Sequence, residues 1–399
     1  MPENDTIVPR HADFDLNKGY TLAGYTNELN RVKTRIQQES NVDVVVLVAH
    51  ITIPYSGDAK EDGNDEHKGA WPADTWYGDL HGVWTDNTNR NSCDQPLTNT
   101  RGEWKWDQDY FPVNSNGVKE LEVVVGRIDF ANMPAFIGAS YLTNATDTTS
   151  TERALLKNYF QKDRWYRSKV IAPTDTWRQW IQDLNFLDMV PNARSIQTHL
   201  HGTLPEDSRA TEDVFVTADA HDGKRYLWGL HAAHGQPDAI AIIDTSNDPD
   251  KFRYSRHLAY TNNEPQVIFY ILGGSYVADW NEQGDEFMRA CLSTSTNGLA
   301  AVWAGDGYAE PWRMDRLALE YHLGAMLQDT IAANDPQSSR AVYLLGDPIL
   351  HTRIVAPPQS QTVVANWTGT NWEVGLTWTA SPDAANGYFV CRGQTSKTP

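Results

Sequence analysis

Basic residues are in short supply. The 33 Lys plus Arg stand against 52 Asp plus Glu, a formal net charge of −19 over 399 residues. Such a surface repels duplex nucleic acid and anionic membranes, which excludes a general nucleic-acid binder. Cysteine is scarcer still. Cys93, Cys291 and Cys391 are odd in number and far apart, so they spell neither a disulfide framework nor a zinc cluster. Long apolar runs are missing too: Val44 to Ala49, the longest near the N-terminus, falls far short of the roughly 20 residues that cross a bilayer. No charged-then-apolar leader follows Met1, where the chain reads Pro-Glu-Asn-Asp. A cytoplasmic protein, or a mature or trimmed piece of a longer one, is expected.

What remains is ordinary globular composition, 40% hydrophobic and 21% charged. The length predicts two to three domains and is ample for a sizeable core. The 15 Trp and 17 Tyr are a heavy aromatic load. An acidic excess serves solubility or supplies carboxylates to divalent cations.

Periodicity predicts the organisation. A helical pattern runs from Tyr25 to Gln38, followed by Val42-Asp-Val-Val-Val-Leu-Val-Ala-His50, which is β-branched and continuously apolar after Asp43. That pattern predicts a parallel strand buried on both faces. A long loop rich in Gly, Asp and Asn covers 56–117 and carries Trp71, Trp76, Trp84, Trp104 and Trp106. Leu121 to Arg127 reads as a second buried strand. Thr149-Ser-Thr-Glu152 reads as a capping box opening a helix on Leu155, Leu156, Tyr159 and Phe160. Further helices are predicted over Trp177 to Met189, Gly284 to Ser293 and Arg316 to Ala333. Further strands are predicted over Asp213 to Ala218, Arg225 to His231, Gln266 to Leu272 and Leu299 to Ala304. The alternation indicates an α/β, largely parallel sheet flanked by helices. From Pro357 the pattern turns all-β, with strands at Thr362 to Trp367, Trp372 to Trp378 and Tyr388 to Arg392.

In open α/β sheets the working residues sit beyond the carboxyl ends of strands. Two strand ends are specialised: Arg225-Tyr-Leu-Trp-Gly-Leu-His-Ala-Ala-His234-Gly235, and Pro265-Gln-Val-Ile-Phe-Tyr-Ile-Leu-Gly273-Gly274-Ser275. The α/β part closes with Val342-Tyr-Leu-Leu-Gly-Asp347-Pro-Ile-Leu350. In that order the three segments resemble gingipain-type cysteine peptidases, relatives of the caspase-like fold. Val44 to Pro54, Asp74-Thr-Trp-Tyr-Gly-Asp79 with Val125-Gly-Arg127, and the helix ending near Tyr166 resemble the family's N-terminal half. The likeness spans about 42–352. It implies a caspase-like sheet, a general-base histidine at His234 with Gly235 beside it, and a nucleophilic cysteine at the next strand end.

That cysteine is missing. Gly273 falls on its position, and shifts of one or two residues bring Gly274 or Ser275 there. Thiolate chemistry needs a sulfur beside the imidazole. Cys291, next to Met288 and Leu292, reads as core, Cys391 sits in the β module, and Cys93 lies in the long loop; His231 reads as packing. A working hydrolase would need a substitute nucleophile such as Ser275 with a base and an oxyanion hole in register.

Cation candidates are Asp58, Asp62 and Asp65 around Gly63, without EF-hand spacing, and Asp86 with Asn87 and Asn89, joined by Asp107 and Asp109. The resemblance implies calcium sites in general and assigns none of these ligands. The β module resembles a fibronectin type III domain in Leu376-Thr-Trp-Thr-Ala-Ser-Pro382-Asp and Gly387-Tyr-Phe-Val-Cys-Arg-Gly393. Half a sandwich is expected there, since two-sheet sandwiches take about 100 residues. The predicted domains are 1–148, an N-terminal gingipain-like subdomain; 149–355, a caspase-like subdomain with the former catalytic site; and 357–399, the partial fibronectin-like module. The expected role is a catalytically inactive, extracellular or cell-surface module with protein partners or self-assembly. Alternatives are a hydrolase using Ser275, or a scaffold whose loop tryptophans stack on sugars.

Overall fold

β-Branched runs become strands and amphipathic runs become helices in a computed structural model. It describes residues 22–39, 42–56, 71–82, 84, 105–106, 121–181, 215, 224–241, 252–280, 284–303, 317, 321–333, 344–352 and 359–380. The chain divides into two units, Met1–Thr352 and Arg353–Pro399. The first begins with α1 (Leu22–Gln38), β1 (Val44–Val48), β2 (Tyr55–Ser56), α2 (Thr75–Gly78), β3 (Lys105–Trp106) and β4 (Val124–Ile128). Then come α3 (Thr148–Arg167), β5 (Asp175–Ile181), β6 (Tyr226–Ala232), β7 (Gly235–Gln236), β8 (Ala239–Ala241) and β9 (Phe252–Tyr254). It ends with β10 (Val267–Gly273), α4 (Phe287–Ser293), β11 (Ala300–Trp303), α5 (Leu323–Ala333) and β12 (Leu344–Gly346). The second unit holds β13 (Gln359–Trp367) and β14 (Trp372–Thr379).

A seven-stranded sheet orders its strands β1-β4-β12-β11-β10-β6-β5. Neighbours are parallel throughout except β11 against β12, which are antiparallel. The sheet is therefore two parallel blocks of opposite direction. The carboxyl ends of β5, β6, β10 and β11 share one edge, and those of β1, β4 and β12 share the other. β10 is an interior strand and every residue of it is buried, which is why its sequence is an unbroken apolar run.

Several sequence expectations need correction. β1 is not buried on both faces: it is the terminal strand, with only Leu47 buried and Val46 and Val48 exposed. The helix expected from Trp177 is a strand over its first residues, because Asp175–Ile181 pairs in parallel with β6; the rest of Trp177 to Met189 lies outside the described residues. α3 is capped two residues earlier than the Thr149 box. Asp147 accepts from the Ser150 N–H at 2.8 Å, and the Ser150 hydroxyl accepts from the Asp147 N–H at 3.0 Å. α4 starts at Phe287 and α5 at Leu323, both later than their patterns suggested. Of Asp213 to Ala218 only Phe215 is described, in a turn.

α3 packs through Leu155, Tyr159, Lys162 and Tyr166, the three-and-four spacing of one helix face. Tyr159 donates its hydroxyl to Leu299 O at 2.7 Å and accepts from the Asp347 N–H at 2.8 Å, joining the start of β11 to the end of β12. In the second unit β13 and β14 form an antiparallel hairpin closed by the Trp367–Trp372 pair. The Tyr388 to Arg392 stretch lies outside the described residues.

Candidate functional site

The two specialised strand ends meet. β6 and β10 are adjacent and in register, with His231 opposite Leu272 and Ala232 opposite Gly273. Beyond that point the Ala233 N–H donates to Gly273 O at 3.2 Å, so His234-Gly235 and Gly274-Ser275 leave the sheet side by side.

Glycine is required at both turns. Gly274 has φ +146°, and a Cβ there would lie 2.4 Å from the Ala233 carbonyl oxygen. A Cβ on Gly235 would lie 2.5 Å from Ser275 O and 2.4 Å from a Val277 methyl. The two backbones thus touch directly beyond the ends of β6 and β10. Position 274 admits no side chain at all.

The remaining predicted residues divide by burial. His234 is exposed and stands just past β6, whereas His231 is fully buried one strand step earlier. His231 Nε2 lies 2.7 Å from the Ala241 carbonyl, so the ring donates there; burial lowers its pKa from 6.5 to about 4, against the pull of that bond. Ser275 is half-buried. Cys291 is buried in α4, where burial pushes its thiol well above the ordinary range, an inert core thiol. Asp58, Asp62, Asp65, Asp86, Asp107 and Asp109 lie outside the described residues, as do Cys93 and Cys391. Among the described residues no three His, Cys, Asp or Glu side chains converge on a metal position.

Aromatic rings close around the elbow. The Trp303 indole N–H donates to Gly274 O at 3.3 Å, and Trp71 stacks with Trp303 and with Tyr276. Trp71 had been read only as one of the loop tryptophans. Neither Trp303 nor Tyr276 was among the sequence candidates.

Two buried ionic clusters support the neighbourhood. Arg127 forms a bidentate pair with Asp74, both bonds 2.7 Å, and also donates to Ile51 O at 2.7 Å. These two residues belong to the Asp74 and Val125-Gly-Arg127 blocks singled out in the sequence; their pairing was not visible there. Arg289 donates to Ala131 O at 2.6 Å and pairs with Glu286, with Asp129 at 3.7 Å, binding α4 to the end of β4. At the opposite sheet edge His50 Nε2 meets both oxygens of Glu152 at 2.7 Å. That histidine–carboxylate pair follows β1 and was not among the sequence candidates.

No family model matches the chain, and no curated protein matches it in sequence. A solved structure described as that of a protease is similar in its coordinates, with 13% identity and a TM-score of 0.48. The match covers 86% of this chain and 71% of that one. At that degree of likeness the functional reading rests on the strand-end geometry itself.

Proposed function

We propose that this chain is a gingipain-like, caspase-like domain without catalysis, carried on a larger exported or surface protein and used for binding or assembly. One observation carries the reading. At the strand end where the resemblance expects a cysteine, Gly273 and Gly274 present no side chain, and the second sits against Ala233 O where no Cβ fits. An imidazole without a nucleophile in reach has nothing to activate. Binding or assembly is supported by the amphipathic hairpin of the second unit, whose Val363, Trp367, Trp372, Val374 and Leu376 are exposed.

The test is hydrolysis of a fluorogenic peptide library, with parallel exposure to a fluorophosphonate and a thiol-directed probe. No turnover and no adduct between Gly273 and Tyr276 are expected. An adduct in that stretch accompanied by turnover overturns the reading. Calcium belongs to the proposal on composition alone: chelator in excess should lower the melting temperature by several degrees, as loss of a ligand bound only by the native state does. An unchanged melting curve with no metal by elemental analysis removes it.

A further inference from the structure

α3 reverses the charge balance of the chain. It holds Arg153, Lys157, Lys162, Arg164 and Arg167 against Glu152 and Asp163, in a protein whose net charge is −19. Both acids are already engaged: Glu152 meets His50 at 2.7 Å, and Asp163 accepts from Arg167 at 2.9 Å. Lys162 is buried. That leaves Arg153, Lys157 and Arg164, all exposed and, among the described residues, joined to no carboxylate by an ion pair. Asp147 lies within electrostatic reach of Arg153, but its carboxylate is occupied by the Ser150 N–H of the helix cap. Steps of four, three and four residues put Arg153, Lys157, Phe160 and Arg164 in one line on the helix. A turn of about 100° per residue sets that line opposite the buried Leu155, Tyr159, Lys162 and Tyr166. Phe160 is 47% exposed and packs T-shaped against Tyr159 at 5.7 Å, so an apolar ring stands among the three cations. The line runs about 16 Å along the helix at its rise of 1.5 Å per residue.

We infer that this line is a docking surface for an acidic segment of a partner protein, which sets carboxylates against Arg153, Lys157 and Arg164 and an apolar residue against Phe160. Charge sign and length select that class. An anionic bilayer or a nucleic-acid duplex extends far beyond the line and meets the wider surface of the chain, which is acidic in net and repels it. A segment of matching length meets the cations alone, and arginine takes a carboxylate in a bidentate fork. A second copy related by a two-fold axis through the line would set these cations against themselves. The inference rests on the binding half of the proposed function, whose partner chemistry it names, and it shares no residue with the strand-end elbow.

The probe is a fluorescein-labelled peptide of glutamates around one central leucine, read by anisotropy against the full chain in 100 mM NaCl. At that ionic strength the Debye length is about 10 Å, so distant acids are screened while charges in contact are not. Saturable binding is expected, and it should vanish when glutamine replaces every glutamate of the peptide. The double variant K157E/R164E should weaken binding at least tenfold and Phe160→Ser about threefold. K224E/R256E makes the same charge change at two exposed residues off this helix and should weaken it less than twofold. Raising NaCl to 500 mM should weaken binding severalfold. Absence of saturation, an equal loss in K224E/R256E, or indifference to salt overturns the inference. Tighter binding to phosphatidylserine vesicles or to a heparin oligosaccharide than to the peptide gives the cations to another class of anion and overturns the choice of partner. If circular dichroism shows K157E/R164E unfolded, K157Q/R164Q replaces it, with the same outcomes read at smaller amplitude. Peptidase turnover by the unsubstituted chain would sink the non-catalytic reading and leave this surface standing; a peptide that does not bind would do the reverse.

Discussion

A single missing Cβ decides more here than any charged group. Gly274 and Gly235 let two strand ends touch backbone to backbone, and a side chain at either would force them apart. Gly274→Ala should therefore destabilise the fold, through both the steric contact and the positive φ, and lower the denaturation midpoint with an unchanged slope. A midpoint equal to that of the parent would show that the elbow can yield. His231 adds a pH dependence. Its folded pKa, lowered by burial to about 4, lies below the unfolded value of 6.5. The unfolded chain thus binds the extra proton first, and stability is lost as pH falls from about 6.5 to 4, by about 3 kcal/mol in all. Asp79 and Asp285 work oppositely. Burial raises each to about 6, so their contribution is lost as pH rises from about 4 to 6. Urea midpoints of His231→Leu and the unsubstituted chain, compared at pH 4.5 and 7, cancel the carboxylates. The difference between the two proteins should shrink at the lower pH, and a pH-independent difference would refute the assignment.

Elements show where the sequence was readable. β6, β10 and β11 emerged within a residue at each end and β4 within three, since a strand buried on both faces spells an apolar run with β-branched and aromatic members. β1 spelled the same run and yet lies at the sheet's end, because position in strand order is a tertiary fact that composition does not carry. β5 was misread as helix: Trp177, Trp180 and Ile181 recur at helical spacing, and pairing with β6 overrode it. In the site, the two strand ends were legible from their glycines. The Trp71 stack and the Asp74–Arg127 pair were not, since each joins residues separated by long stretches of chain. Lys162 belongs to the same class. Nothing in its sequence marks it, yet its ammonium donates to the carbonyls of Leu292, Thr294, Asn297 and Gly298 at 2.6–3.1 Å, tying α3 to the link between α4 and β11. Glu264 grips that link from its other side, accepting from the Thr296 and Asn297 N–H groups at 2.7 and 2.6 Å. Lys162→Met keeps the bulk and leaves the carbonyls without their donor, which costs about 3 kcal/mol. Chemical denaturation should show that loss, and a change below about 1 kcal/mol would mean that water or a bound cation replaces the amine.

At the scale of the whole molecule, sheet direction and surface chemistry set what the chain can offer a partner. The reversal between β11 and β12 places the His234 elbow and the His50–Glu152 pair at opposite sheet edges, so the two histidines cannot serve one reaction. The second unit presents a different kind of surface. Along its hairpin Val363, Ala365 and Trp367 alternate onto one face with Trp372, Val374, Leu376 and Trp378, while Thr362, Val364, Asn366, Glu373, Gly375, Thr377 and Thr379 take the other. The apolar face is open: Val363 is 65% and Trp372 66% exposed. Among the described residues this unit holds two strands, which alone are marginal in water, and a continuous apolar patch marks a place of association. Net charge opposes that association, because two copies at −19 each repel. The balance dictates a sign. Self-association through the hairpin should strengthen with added salt, as screening removes the repulsion and leaves the apolar contact untouched, whereas an ion-paired interface would weaken. Sedimentation velocity from 20 to 500 mM NaCl should show a rising weight-average coefficient for the unsubstituted chain and a flat one for Val374→Lys, whose ammonium stands in the middle of the face. Association that falls with salt, or that V374K leaves intact, would place the contact elsewhere on the surface.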